Sequence, residues 1–150
     1  MKIYTSYFGN YERLKKAGIA IISISDKQLR NVPINGVLRA LAPPEYFYSH
    51  FETGVPYYDQ DIERFTQLYK KYFLEPRTPE EVVTTLEFFS RNNCEGADIA
   101  LCAHPLPEEF SHRSLVAEWL NGYITDPAKK VKEYVTPAAR FKLNSNFIGL

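Results

Sequence analysis

The segment from Cys102 to Ser114, CAHPLPEEFSHRS, concentrates side chains that can do chemistry near neutral pH: a thiol, two imidazoles, a guanidinium and two hydroxyls. Ser111 has the character of a helix N-cap, because a serine there accepts a hydrogen bond from a free N–H of the first turn. The next two residues, His112 and Arg113, are potential cations, and a cation at a helix N-terminus opposes the macrodipole by about 0.3–1 kcal/mol when exposed. A bound phosphate, sulfate or carboxylate reverses that sign. Arg113 can grip an oxyanion through two N–H groups while Ser111, Ser114 and backbone amides complete the cradle. His112 is the candidate acid or base, since an unperturbed imidazole titrates at a pKa of about 6.5. The bland alternative is that Glu108 or Glu109, just upstream, neutralises Arg113 and leaves a solvated turn.

Cys102 has two readings. A neighbouring His112 and a helix N-terminus both favour thiolate, which makes it a candidate nucleophile; a free cysteine is equally an ordinary small core residue. Cys102, His104 and His112 also invite a metal, with His50 or a carboxylate as fourth ligand, but no CxxC or HxxxH spacing supports them and no metal ligand is assigned. A metal-dependent enzyme therefore stands as an alternative. No motif selects a cofactor.

These residues need elements to hold them. In open parallel sheets, ligands bind beyond the carboxyl ends of the strands, where loops feed into helix N-termini. The turn after a short apolar strand at Ile99–Ala103 is one such place; the loop Ser6–Asn10 after a first strand at Lys2–Thr5 is another, and adds Ser6 and Tyr7 to the candidate ligand-binding side chains. Between them the pattern predicts a helix over Tyr11–Ala17 capped by Gly18, then a strand over Ile19–Ile24 whose continuous apolar run suits burial on both faces. Ser25–Pro56, broken by prolines and glycines, reads as a loop-rich insertion with short helical pieces.

From Asp61, the residues Ile62, Phe65, Leu68, Tyr69, Tyr72 and Phe73 recur at helical spacing until Pro76 stops them. Thr78, Pro79 and Glu81 form a capping box for a helix to about Asn92. Leu115, Val116, Trp119 and Leu120 mark a further helix ending at Gly122, and Val131–Val135 an edge strand. Strands alternating with helices predict one α/β domain over residues 1–136, a mainly parallel sheet flanked by helices on both faces, with residues 137–150 as a tail.

Composition bounds the function classes. At 45% hydrophobic and 24% charged, the chain has ordinary globular proportions. Its 15% aromatic content is high and is most simply core. A formal net charge of zero provides no broad positive field for non-specific nucleic-acid binding. The tail mixes Arg140 and Lys142 with Phe141, Leu143, Phe147 and Ile148, so a non-enzymatic nucleic-acid or protein interaction module is kept as an alternative. Two cysteines, Cys94 and Cys102, make no disulfide framework. With neither a signal peptide nor a membrane-length apolar run, the expectation is a cytoplasmic protein with no membrane partner.

Leu101-Cys102, the proline-bearing turn after them, and Phe110-Ser111-His112-Arg113-Ser114-Leu115-Val116-Ala117-Glu118-Trp119-Leu120 resemble the family called domain of unknown function 488. In that family a strand ending in Leu-Cys leads to Cys-His-Arg and a helix reading Leu-x-Ala-Glu-Trp-Leu. Ile3-Tyr4-Thr5-Ser6-Tyr7-Phe8 and Leu41-Ala42-Pro43-Pro44 are similar to one branch of it, and the likeness spans about residues 1 to 135. It implies a Rossmann-like α/β fold and no particular reaction. Ser111 replaces the second Cys of the pattern, and Ala103-His104-Pro105 replaces a charged stretch, which weakens any two-thiol chemistry and leaves His112 and Arg113. The functional expectation is thus a site for an anionic or phosphorylated small molecule, nucleotides included, at the turn Cys102–Ser114.

Overall fold

The structure, a computed structural model, describes residues 1–49, 51, 56 and 58–134. His50 and the tail bearing Arg140 and Lys142 lie outside the described residues, as does Val135 of the expected last strand.

Among the described residues five strands form one sheet: β1 (Ile3–Tyr7), β2 (Ala20–Ser23), β3 (Gly36–Val37), β4 (Ile99–Ala103) and β5 (Lys132–Glu133). Their order is β3-β2-β4-β1-β5 and every pairing is parallel. The result is the expected Rossmann-like α/β architecture. β4 lies at the centre, in register with β1 from Ile3↔Ile99 to Tyr7↔Ala103 and with β2 from Ala20↔Ile99 to Ser23↔Cys102. Its sequence, IALCA, fits that place because all five side chains are buried and polar groups there would need partners.

Side chains alternate across the sheet, which divides β4 between two cores. Ile99, Leu101 and Ala103 face the larger one, with Ile22, Phe65, Tyr69, Leu86 and Val116. Ala100 and Cys102 face a small one with Phe8, Leu14, Ile19 and Ile21. The covering is correspondingly uneven. A short helix, α1 (Tyr11–Lys16), supplies Leu14 to the small side. The other face receives α2 (Glu45–Tyr48), α3 (Asp59–Tyr69), α4 (Pro79–Asn93) and α5 (His112–Asn121).

The helix signals act where the side chains allow. The Thr78 hydroxyl accepts from the Glu81 N–H at 3.2 Å and starts α4. α3 does not stop at its α-helical end but runs on through a π-helical turn, Lys70–Leu74. The expected aromatic stripe packs in part: the Phe65 ring lies 5.2 Å from Phe47, 5.8 Å from Tyr69 and 5.5 Å from Phe110, centroid to centroid, whereas Tyr72 is 56% exposed. β1 runs on through Ser6 and Tyr7, which the sequence pattern places in the loop after it. A second departure lies beyond β2. The insertion after β2 contains the edge strand β3, which Asn35 introduces by pairing both its N–H and its side-chain carbonyl with Ile21 at 2.8 Å.

Topology then opens the site. The chain leaving β2 travels outward to β3, whereas the chain leaving β4 crosses β1 to reach β5. Loops that diverge from adjacent strand ends leave a crevice between them. No helix among the described residues is long and apolar enough to cross a membrane.

Candidate functional site

A cleft of about 810 Å³ occupies that crevice, a size suited to a small organic ligand. One wall is the loop after β2, with Ser25, Asp26 and Lys27; the opposite wall is the β4–α5 turn, from His104 to His112. Tyr48 of α2 and Phe65 of α3 close the apolar side. The cleft borders the turn before α5 that the sequence singles out as a candidate site, and only some of the side chains named there line it.

Ser111 is the N-cap of α5: its backbone is extended at φ −146° and ψ 143°, and its hydroxyl accepts from the Arg113 N–H at 3.3 Å. Both Ser111 and His112 line the cleft. His112 is 4% exposed, and its Nε2 lies 2.6 Å from the carbonyl oxygen of Ile24. A carbonyl can only accept, so Nε2 carries the proton and Nδ1 carries the lone pair. Nδ1 has no hydrogen-bond partner among the described residues. The ring tilts over Tyr69, with centroids 5.4 Å apart.

Burial pushes the His112 imidazole down to about 4, and the charge of Arg113 adds to the effect, against the Ile24 hydrogen bond that favours the charged form. The ring is therefore neutral at neutral pH. This corrects its expected role as a general acid and leaves a hydrogen-bond acceptor and weak base beside the cleft.

Arg113 points elsewhere. Its guanidinium is 4% exposed as a side chain, and its Nε donates to both carboxylate oxygens of Glu133, at 3.0 and 3.2 Å. Nη2 donates to Glu133 Oε2 at 3.1 Å and Nη1 to the Pro105 carbonyl at 2.6 Å. The Thr5 hydroxyl completes the group by donating to Glu133 Oε1 at 2.8 Å. Arg113 does not line the cleft. The expected anion clamp is thus corrected: the negative charge that the start of α5 needs is supplied from within, by β5. Neither Glu108 nor Glu109 provides it; Glu109 instead accepts from the Leu106 N–H at 2.8 Å.

The remaining candidates disperse. The Ser114 hydroxyl donates to the Ser111 carbonyl at 2.8 Å and is an internal turn contact. Cys102 is fully buried in the small core, on the face of the sheet away from the aromatic core that His112 joins. Burial raises its thiol to about 12, outweighing the nearby Arg113 charge, so the nucleophile reading gives way to the core reading. Ser6 is buried and accepts from Asn10 Nδ2 at 3.2 Å, and the Tyr7 ring folds over Gly9, where a β-carbon would come within 2.8 Å of it. Neither lines the cleft. Among the described residues no three His, Cys, Asp or Glu side chains gather to hold a metal ion.

Several cleft residues carried no functional signal in the sequence. Asp26, Tyr48 and Phe65 come from separate elements, and only folding brings them opposite the β4–α5 turn. His104, considered above only as a metal ligand, places Nε2 2.5 Å from the Lys27 carbonyl and ties the two walls together. No protein-family model matches the chain, and neither the curated proteins nor the solved structures contain a match.

Proposed function

We propose that this chain binds a small organic molecule in the cleft between the β2 loop and the β4–α5 turn, with Nδ1 of His112 accepting a hydrogen bond from the ligand. The observation that carries this reading is a buried, neutral imidazole at a cleft wall, with one nitrogen committed to Ile24 and the other uncommitted. Among the described residues Gln28 Oε1 is the fully buried side-chain polar atom without a partner, so Nδ1 of His112 is not sealed off, and a ligand donor in the cleft can pair with it. The cleft offers apolar and aromatic walls from Pro43, Tyr48, Phe65 and Phe110, together with polar and charged side chains able to fix a ligand's orientation.

A phosphorylated ligand, the class expected from the turn alone, is disfavoured by the side chains facing the cleft. Its only Lys or Arg among the described residues is Lys27, already paired with Glu45 at 3.2 Å. Relationship to the domain of unknown function 488 rests on the quoted sequence motif and adds no reaction to this proposal.

The test is a screen of a chemically diverse fragment library by amide chemical shifts on the uniformly labelled protein. The expected hits move the amides of His104, Phe110 and His112 together with those of Ser25 and Lys27. Hits that consistently move other surfaces and leave these five unmoved would overturn the assignment.

A further inference from the structure

We infer that the cleft selects an organic cation: a molecule with an ammonium head and an apolar or aromatic body. This inference rests on the cleft being the binding site and adds the charge class of its ligand.

Four carboxylates line the cleft among the described residues, Asp26, Glu45, Glu108 and Glu109, against the single ammonium of Lys27. Lys27 and Glu45 form an exposed pair at 3.2 Å, which leaves Asp26, Glu108 and Glu109 without a cationic partner among the described residues. Glu109 spends one oxygen on the Leu106 N–H. The Arg113 guanidinium at the start of α5 is paired with Glu133 and does not line the cleft. Clefts lined by one sign of charge between low-dielectric walls focus that potential and concentrate ligands of the opposite sign.

A second, independent feature points the same way. His112 is buried, neutral and presents a lone pair at Nδ1, so it asks for a donor, and an ammonium carries up to three donors and no acceptor. The body of the ligand is addressed by aromatic faces. Tyr48, Phe65 and Phe110 all line the cleft, and aromatic rings attract cations at short range as well as covering apolar surface. Burial chiefly, with the charge of Asp26 adding to it, pushes the Tyr48 hydroxyl up to about 12, so that charge is felt at the aromatic wall. A carboxylate or phosphate ligand meets none of these groups favourably.

The experiment compares four probes of one shape: phenethylamine, its N-trimethylated form, 2-phenylethanol and phenylacetate, titrated into the full chain at low and at physiological salt and followed by the cleft amides. Phenethylamine is expected to bind about tenfold tighter than phenylacetate at low salt, with the difference shrinking as salt screens the rim. The trimethylated probe retains the charge and lacks N–H donors; it should rank between phenethylamine and the alcohol, which separates the carboxylates from His112 Nδ1. The triple substitution Asp26→Asn, Glu108→Gln, Glu109→Gln lies on exposed positions and keeps an acceptor at Glu109, so it should fold normally and bring the four probes within about twofold of one another. Cleft shifts with alcohol or acid as strong as with amine would overturn the cation assignment and leave the site standing. Shifts confined to other surfaces for all four probes would overturn both.

Discussion

His112 and Arg113 are consecutive residues at the start of one helix, yet they belong to opposite kinds of environment. Arg113 enters a closed polar network in which Glu133, Pro105 and Thr5 use its donors or its partner's lone pairs. His112 enters a half-made one, bonded at Nε2 and vacant at Nδ1 beside a cleft. Both are at least 96% buried, so burial does not distinguish them. The useful distinction is whether the polar atoms are satisfied, because a completed network stabilises a fold whereas an incomplete one beside a cavity invites a ligand.

The closed side should break most severely. Glu133→Ala leaves the Arg113 guanidinium buried without a counter-charge, and removing one partner of such a pair costs about 3–5 kcal/mol. Denaturant unfolding of the variant is the measurement, with Glu133→Gln as the milder companion because its carbonyl still accepts from Nε. Ligand shifts in the cleft should survive both substitutions. A Glu133→Ala protein of parental stability would mean that β5 does not lock α5.

The open side should respond to pH. The His112 pKa is lowered to about 4 in the fold against 6.5 unfolded, so the unfolded chain takes up a proton first as the solution is acidified. Stability from this group is complete above pH 6.5 and is lost progressively as pH falls toward 4. The difference corresponds to about 3 kcal/mol at the acid end. Parent and His112→Gln should therefore converge in stability on acidification from pH 7 to pH 4, whatever the other carboxylates contribute. Parallel curves would show that the imidazole is not buried neutral.

Cys102 tests the sheet between them. It faces the small core, so alkylation with iodoacetamide at pH 7.5 should modify Cys94 slowly and Cys102 only after unfolding. Cys102→Ser should cost about 1–2 kcal/mol through the added buried hydroxyl and leave probe binding unchanged. Rapid native labelling of Cys102 would reopen the nucleophile reading.

Much of this architecture could be read from local pattern. Ile99–Ala103 is a strand because five consecutive buried residues demand a central place, and Thr78 and Ser111 cap their helices as their chemistry requires. The edge strand β3 was not legible, since Gly36 and Val37 offer two residues and no periodicity, and their pairing is set by Asn35 against Ile21. The turn and His112 were legible as candidates for a site, but the partner of Arg113 was not. Glu133 lies 20 positions away on a two-residue strand, and only the crossover from β4 to β5 brings it to the guanidinium. The apparent conflict of two cations at a helix start had an internal answer that no spacing rule reveals: one is neutral by burial and the other is paired.

The smallest effect on stability should accompany an informative effect on binding. Lys27 and Glu45 are 71% and 77% exposed as side chains, and exposed pairs of this kind contribute about 0–1 kcal/mol. Lys27→Gln should accordingly unfold within about 0.5 kcal/mol of the parent. At the cleft, the same change removes its one Lys or Arg among the described residues and frees the Glu45 carboxylate, which raises the unpaired carboxylates among those residues from three to four. Phenethylamine should then bind a few-fold more tightly and phenylacetate more weakly, with the gap closing at high salt. Because the fold is scarcely disturbed, the change in ratio can be assigned to charge alone, and a ratio that stays constant would separate the recognition by His112 from any role of the acidic rim.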